Sequence, residues 1–558
     1  MAAAGCARYH GRLVAGVAGS PLHRQEFNMA HSLMRSTAVV SAMTLLSRGF
    51  GFLRDLLMAR AFGAGPAMDA FFVAFKIPNF LRRLFAEGSF SQAFIPVLAE
   101  RRARDDLAEV RAFADRVAGT LGGVLLVITV LGVVFAPVLI FLIAPGFDGN
   151  HGQRELAIGL LRITFPYLLF ISLTAFASGL LNTYGQFGVP AFTPVLLNLC
   201  LIAATLWVAP HMAQPVYALA WGVFIAGVVQ LAFQLPFLAR QGLLPRPRWG
   251  WHYPPVRRVM TLMVPTLFGS SVAQVNLLVD TLIASFLAVG SVSWLYYADR
   301  LMEFPLGVFG IALSTVILPH LSARHAEADP ERFSATLDWA LRGALLISLP
   351  AAVMMGVIAH PLLATLFHGG AFTDRDVAMS AAALATYGLG LTGFILVKVL
   401  VPGYYARQDT RAPVRIGLIA MGVNTGLNLI LLVPAVQRSL AAPHAFLALS
   451  TSLAAYLNAL LLYRGLRRSG AYLPSSGWAR FLARMGIANG LIGLGLWWWV
   501  PAAPYWVAIA GRERLLALGM VLVAVALAYP ALLLLLGVRP RHFRLPSEAA
   551  VTSPAQTL

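Results

Sequence analysis

Residues 117–144 read VAGTLGGVLLVITVLGVVFAPVLIFLIA, without one acidic or basic side chain. A helix of about 20 apolar residues crosses the hydrocarbon of a bilayer, so this run is long enough to span. Comparable runs lie on both sides of it, near 36–60, 69–98, 156–181, 190–209, 216–239 and 258–287. Further runs follow near 293–320, 337–366, 376–404, 412–434, 444–465, 481–501 and 512–537. Together they predict about fourteen spans with no water-soluble insert, hence an all-α polytopic membrane protein. A transmembrane β-barrel would need ten-residue segments of alternating character, and none is seen.

Composition agrees. Of 558 residues, 59% are hydrophobic and 12% charged, against about 45–50% and about 25% in ordinary soluble domains. Too little polar surface remains to cover a soluble enzyme of several domains. The net charge is 42 − 23 = +19, and 40 of the 42 basic residues are Arg. On a soluble surface such an excess would suggest nucleic acid; in a membrane protein it marks loops facing the cytoplasm and its anionic leaflet. No nucleic-acid partner is expected. The two cysteines, Cys6 and Cys200, support neither a disulfide framework nor a cysteine metal site.

Arginine placement orients the chain. The clusters are Arg101, Arg102, Arg104 and Arg111; Arg240, Arg246, Arg248, Arg257 and Arg258; Arg407, Arg411 and Arg415; Arg464, Arg467, Arg468 and Arg480; and Arg539, Arg541 and Arg544. They fall in alternate loops, with Arg512 and Arg514 as an exception. By the positive-inside rule both termini are expected on the cytoplasmic side. Residues 99–115 fit either an amphipathic surface segment or a plain charged connector.

An internal repeat divides the chain. Leu53-Arg54-Asp55-Leu56-Leu57-Met58-Ala59, reaching Gly65, matches Leu278-Val279-Asp280-Thr281-Leu282-Ile283-Ala284, reaching Gly290, at an offset of 225. At an offset of 223, Ile95-Pro96-Val97-Leu98 resembles Leu318-Pro319-His320-Leu321, and Pro190 falls on Pro413. The expected organisation is two six-span lobes, 29–240 and 241–468, related by a pseudo-two-fold along the membrane normal. A helix pair follows over 469–538, then a cytoplasmic tail over 539–558. Residues 1–28 lack the apolar core of a secretory signal and read as a disordered tail or as sequence upstream of the natural start at Met29. The two lobes suggest a rocker with a central cavity, or an old duplication with no moving parts.

No phosphate loop, zinc motif or nucleophile elbow is present, and no enzyme is expected. The informative residues are charges at membrane depth, where an ionisable group costs ~2.5–3.5 kcal/mol or more and marks function by default. If span 1 enters at residue 36, Arg48 lies about 18 Å and Arg54 about 27 Å in; Asp55 shares nearly one helix face with Arg48. Span 2 carries Asp69, Lys76, Arg82, Arg83 and Glu87, and span 8 carries Asp299, Arg300 and Glu303. These charges either pair with one another to hold helices together or face a water-filled cavity that binds an anion. Bidentate arginine suits a phosphate, which points to Arg48, Arg54 and Arg300, with Arg82 and Arg83 nearer the mouth. Asp280, the repeat counterpart of Asp55, has no Arg nearby in sequence. It must protonate, pair with a cation such as Lys398, or bind a hard cation with Asn424, Asn428 and Thr451.

At Ser47-Arg48, Arg54-Asp55, Gly63-Ala64-Gly65 and Asp69-Ala70-Phe71-Phe72-Val73-Ala74-Phe75-Lys76-Ile77-Pro78-Asn79 the chain resembles a known family. So do Leu81-Arg82-Arg83-Leu84-Phe85-Ala86-Glu87-Gly88-Ser89-Phe90-Ser91-Gln92-Ala93-Phe94 and Trp294-Leu295-Tyr296-Tyr297-Ala298-Asp299-Arg300-Leu301-Met302-Glu303-Phe304-Pro305. From Met29 onward it is similar to the bacterial MurJ (MviN) lipid II flippases of the MOP exporter superfamily. The resemblance implies fourteen helices, the last pair forming a groove for the lipid tail. It implies that lipid II, the undecaprenyl-diphosphate-linked peptidoglycan precursor, is turned from the inner to the outer leaflet of the cytoplasmic membrane. Family residues needed for function fall on Arg48, Arg54, Asp69, Arg82 and Arg300, with Asp55, Lys76, Glu87, Asp299 and Glu303 as further cavity or gate charges. Sodium in some members maps to Asp280, Asn424, Asn428 and Thr451, but Asn428 stands here where the sodium-binding member has an acid. Otherwise no cofactor is implied; sodium or the membrane potential would drive the cycle. Partners would be lipid II, membrane lipids and other cell-wall synthesis proteins. The rivals are a same-fold exporter of another lipid-linked oligosaccharide and a prenyl-phosphate glycosyltransferase. The latter would want an Asp-x-Asp motif facing the cytoplasm, and none is seen.

Overall fold

The computed structural model describes residues 21–84, 90–149 and 152–539, with the side chains other than those of 21–37, 264–274 and 311. Each of the fourteen apolar runs falls on helix among these residues. The first half holds α1 (Pro21–Phe62), α2 (Pro66–Arg82), α3 (Phe90–Arg104), α4 (Leu107–Val134), α5 (Ala136–Ile143) and α6 (Gln153–Thr164). Then come α7 (Tyr167–Thr183), α8 (Gly188–Ala203) and α9 (Tyr217–Arg240). The second half holds α10 (Pro254–Ser285), α11 (Ser291–Pro305), α12 (Ile311–Ala326), α13 (Pro330–Val357), α14 (Ala359–Leu366) and α15 (Asp374–Tyr405). It closes with α16 (Arg411–Gln437), α17 (Ala445–Arg468), α18 (Trp478–Trp499), α19 (Ala503–Ala508) and α20 (Gly511–Leu535). Helix α1 begins inside the stretch read as an N-terminal tail; residues 1–20 and 540–558 lie outside the described residues.

Several predicted spans are not single straight helices. The run 117–144 stops at Phe135 and restarts as α5, with Pro137 in its first turn. Proline has no N–H to give and its ring crowds the carbonyl four residues back. The predicted span 293–320 passes through a π turn at Leu306–Gly310, directly after Pro305, the kind of bulge that absorbs a lost ladder bond. Segment 99–115 is two helix ends meeting at Asp105–Asp106, where Asp106 accepts from the Glu109 N–H at 2.8 Å. Ten helical stretches among the described residues are long and apolar enough to cross a membrane. Helix α2 has only 17 residues, and α1 carries Arg48, Arg54, Asp55 and Arg60 in its second half.

The repeat reappears in the helix boundaries. Helices α2 and α11 start at Pro66 and Ser291, an offset of 225, and α8 and α16 start at Gly188 and Arg411, an offset of 223.

Packing groups the chain into two compact units. Unit 1 comprises residues 1–54, 81–130 and 166–264; unit 2 comprises 55–80, 131–165 and 265–558. In unit 1, Phe90, Phe94, Phe113 and Phe176 interlock α3, α4 and α7, with neighbouring ring centroids 5.0–6.2 Å apart. In unit 2, α15 lies between α13 and α17. A Cβ on Gly388 would meet Met355, and one on Gly390 would meet Ser452; small residues let membrane helices approach this closely. Two backbones also touch within unit 2. Gly63 (φ +68°) faces the Ala371 carbonyl and Gly370 (φ +61°) faces the Arg60 carbonyl, leaving no room for a side chain at either. The Ala371 N–H donates to Arg60 O at 2.8 Å. The turn after α1 is thereby fixed to the 369–372 turn.

Candidate functional site

The charges singled out in the sequence fall into distinct clusters. In unit 2, Asp55 is fully buried and receives the Arg300 guanidinium, Nε to Oδ2 at 2.6 Å. Arg300 also reaches Glu303 from Nη1 at 3.0 Å and keeps 32% of its side chain exposed. The Tyr296 hydroxyl donates to the second oxygen of Asp55 at 3.1 Å. Its ring stacks on Phe72 with centroids 3.9 Å apart. Three residues of α11 at i, i+4 and i+7 (Tyr296, Arg300 and Glu303) thus share one face, and Asp55 on α1 meets two of them. Asp299, next to Arg300, is half-buried.

Asp69 sits in the first turn of α2 and is 2% exposed. Its carboxylate accepts from the backbone N–H groups of Gly290 at 2.7 Å and Ser293 at 2.9 Å, and from the Ser293 hydroxyl at 2.6 Å. The first N–H groups of a helix have no intrahelical partner, and an anion is favoured there. Asp69 therefore caps α11 from another helix. Gly290 (φ +98°) leaves no space for a Cβ, which would meet the Ala64 carbonyl at 2.8 Å. Trp294, one turn on, donates from Nε1 to Asp376 at 2.8 Å.

The constellation proposed around Asp280 does assemble. Asp280 accepts from Asn428 at 2.9 Å, Asn424 at 3.1 Å, Asn276 at 3.2 Å and Thr451 at 3.5 Å. Asn424 and Asn428 are 1% and 0% exposed, and their amide oxygens accept no hydrogen bond among the described residues. Of the options weighed for Asp280, direct pairing with Lys398 is not seen among the described residues. Lys76 comes close instead, donating to the Thr281 hydroxyl at 2.5 Å.

In unit 1, Arg54 is 7% exposed and donates from Nη1 to Asn198 Oδ1 at 3.0 Å. Asn198 in turn donates to the Ser47 carbonyl at 3.0 Å, so one amide grips α1 at two points seven residues apart. Arg48 is half-buried and makes no hydrogen bond or ion pair with another described residue; the same is true of Arg83. Arg82 is half-buried and engaged. Glu87 lies outside the described residues.

Sequence reasoning missed Asn198, Tyr296, Ser293 and Asn276. None is ionisable at neutral pH, so the search for charges at depth passed over them. Tyr296 nonetheless lies within a quoted motif and Ser293 beside it, and the repeat had marked Gly290.

Residues 58–511 match the family described as "Lipid II flippase MurJ". The chain is 45% identical to the probable lipid II flippase MurJ of Vibrio cholerae, across 94% of this chain and 100% of that protein. It is also 45% identical to the lipid II flippase MurJ of Burkholderia cenocepacia, across 92% of this chain and 99% of that one. Among solved structures it resembles a lipid II flippase MurJ in an inward closed conformation, with a TM-score of 0.74 and 25% identity over 89% of this chain and 98% of that one. An inward-facing MATE family transporter of the MOP superfamily shares the fold, with a TM-score of 0.63 at 14% identity over 78% of this chain and 98% of that one. This multi-pass helical membrane protein belongs to the MurJ family.

Proposed function

We propose that the chain is a transporter, not an enzyme, and turns lipid II from the inner to the outer leaflet of the bacterial cytoplasmic membrane by alternating access. The observation that carries this reading is the end-to-end likeness to relatives named as lipid II flippases, at 45% identity over 92% of this chain for the Burkholderia cenocepacia protein. Arginine geometry supports it. Arg54 is oriented by Asn198, and Arg300 remains one-third exposed beside Asp55. Arg48, Arg54 and Arg300 are assigned to the diphosphate, and Arg82 and Arg83 to its approach. The diphosphate competes with Asp55 for Arg300, so its arrival loosens a contact of the empty protein. Asp69, capping α11, serves as a gate that must release before the substrate leaves outward. The prenyl tail lies along α18 and α20. Arginine-rich alternate loops support a cytoplasmic placement of both termini.

The residues around Asp280 suit sodium. One carboxylate, two amide oxygens and a hydroxyl are hard donors, and the amide oxygens of Asn424 and Asn428 are buried without a partner among the described residues. Exchanging each amide's oxygen and nitrogen by a side-chain flip would turn both oxygens toward Asp280. Sodium there supplies a positive charge drawn from an ion gradient. Without it the Asn amides hold the carboxylate, as now, and Lys76 on Thr281 supplies the nearest cation noted.

Depleting the protein and assaying which leaflet holds the precursor tests the proposal. Lipid II should accumulate on the inner side, and Arg54→Ala or Arg300→Ala should fail to restore its export. Normal export without the protein would overturn the function, and normal export by both variants would overturn the diphosphate assignment.

A further inference from the structure

The segment joining α9 to α10, within unit 1, plays no part in the foregoing reading. Residues 243–250 run without helix along α4 and are pinned to it. The Arg246 N–H donates to Asp115 Oδ1 at 2.7 Å, Arg248 to the Asp115 carbonyl at 2.9 Å, and Gly250 to the Thr120 hydroxyl at 3.0 Å. Gly119 and Gly123, one helical turn apart, form the seat. A Cβ at 119 would overlap the Arg248 backbone, and one at 123 would meet the Trp249 ring at 2.8 Å. Arg116 closes the end of the strap, 4.5 Å over the ring of Tyr253. A small-xxx-small notch that elsewhere admits a second helix here admits an extended strap.

What the strap turns outward is unusual. Arg246 and Arg248 are exposed. Trp249 and Trp251 are 64% and 46% exposed although their rings stack on each other, centroids 6.3 Å apart. From Arg240 to Arg258 the chain carries five arginines and no acid. Along α4, positions 119, 123, 127 and 130 share a face. There Leu126, Val127 and Val130 are 53%, 59% and 53% exposed, an apolar stripe suited to lipid. Trp249, seated on Gly123, continues that stripe at the point where it becomes basic.

We propose that this strap is a binding edge for anionic phospholipid headgroups. The two indoles lie at the boundary between hydrocarbon and headgroups, where tryptophan is favoured. Arg246 and Arg248 take the lipid phosphates through their planar guanidinium groups. Because α4 holds the backbone, the arginines and indoles are presented without the ordering cost of a free loop. The strap ties unit 1 to one leaflet at a fixed depth, and this holds whatever substrate the protein carries.

The test uses the full chain in nanodiscs of zwitterionic lipid doped with brominated phosphatidylglycerol or, separately, brominated phosphatidylcholine. Tryptophan quenching is compared between the native protein and W249F/W251F, so that the difference reports these two indoles. Quenching of that difference signal by the anionic bromolipid is expected to exceed that by the zwitterionic one by about fivefold, the enrichment that one arginine near a charged surface already gives. In R246Q/R248Q the ratio should fall to about one, with the thermal midpoint unchanged. Equal quenching by both lipids in the native protein would overturn the headgroup preference. Quenching of the difference signal by aqueous iodide alone, or by neither agent as under a protein cover, would overturn the membrane edge itself.

Discussion

Asp55 and Asp280 occupy matching places of the duplicated sequence, 225 positions apart, yet each is held by a different kind of partner. Asp55 is locked by a full opposite charge, with Arg300 at 2.6 Å and Tyr296 at 3.1 Å. Asp280 sits among neutral donors, three asparagine amides between 2.9 and 3.2 Å and a threonine hydroxyl. An ion pair at depth cancels its own charge but penalises the loss of either member, because the survivor is left uncompensated. An amide cage satisfies the carboxylate's lone pairs and leaves its negative charge standing, which in a low dielectric attracts a cation. Duplication thus produced one carboxylate locked by a cation and one held by neutral donors. The residues responsible are Arg300 and Tyr296 beside Asp55 and the asparagines of α10 and α16 beside Asp280.

The largest effect should come from breaking the locked member. Arg300→Met takes the guanidinium away from the buried Asp55 and is expected to cost about 3–5 kcal/mol of stability, read as a lowered thermal midpoint in detergent. Adding Asp55→Asn to make D55N/R300M should restore most of it; if the double variant is no more stable than R300M, Asp55 and Arg300 are not a closed pair. Next is Asp69→Asn, which replaces an anion on two backbone N–H groups and a hydroxyl with a neutral amide. Charge-assisted bonds of this kind contribute about 1.5–3 kcal/mol, and hydrogen exchange at residues 290–293 should quicken. Unchanged exchange there would remove Asp69 as the cap of α11. The smallest effect belongs to Asp280. Asp280→Asn should change stability by about 1 kcal/mol in sodium-free buffer, since the new amide keeps an oxygen acceptor and the nearby Lys76 is bonded to Thr281. Sodium should raise the thermal midpoint of the native protein and leave D280N unmoved. A D280N loss as large as that of R300M would erase the contrast between the two carboxylates.

Much of this arrangement was legible in advance. The apolar runs landed on helices because hydrocarbon demands continuous apolar length with internally bonded backbone. The charges were conspicuous because so few are tolerated at depth. Asp280, Asn424, Asn428 and Thr451, named together in the sequence, do come together, with the amide nitrogens toward the carboxylate. What escaped the reading was partnership. Nothing in the pattern around Asn198 shows that it grips Arg54, 144 positions earlier, or that Asp69 caps a helix starting at Ser291. The breaks at Phe135 and after Pro305 were marked by their prolines but hidden under unbroken hydropathy. The strap at 243–253 read only as a basic loop, because its seat is two glycines on a distant helix.

The amino-acid sequence by itself determined that this protein lies in a membrane, that it is built from helices, that its two halves are related, and which few charges are buried at a cost. Those properties follow from transfer free energy and period, which are local and additive along the chain. Only the tertiary structure decided which charge neutralises which, which carboxylate sits among neutral donors, and how a basic loop is seated on α4. Such pairings depend on distances of a few ångströms between residues far apart in the chain, and no local pattern encodes them.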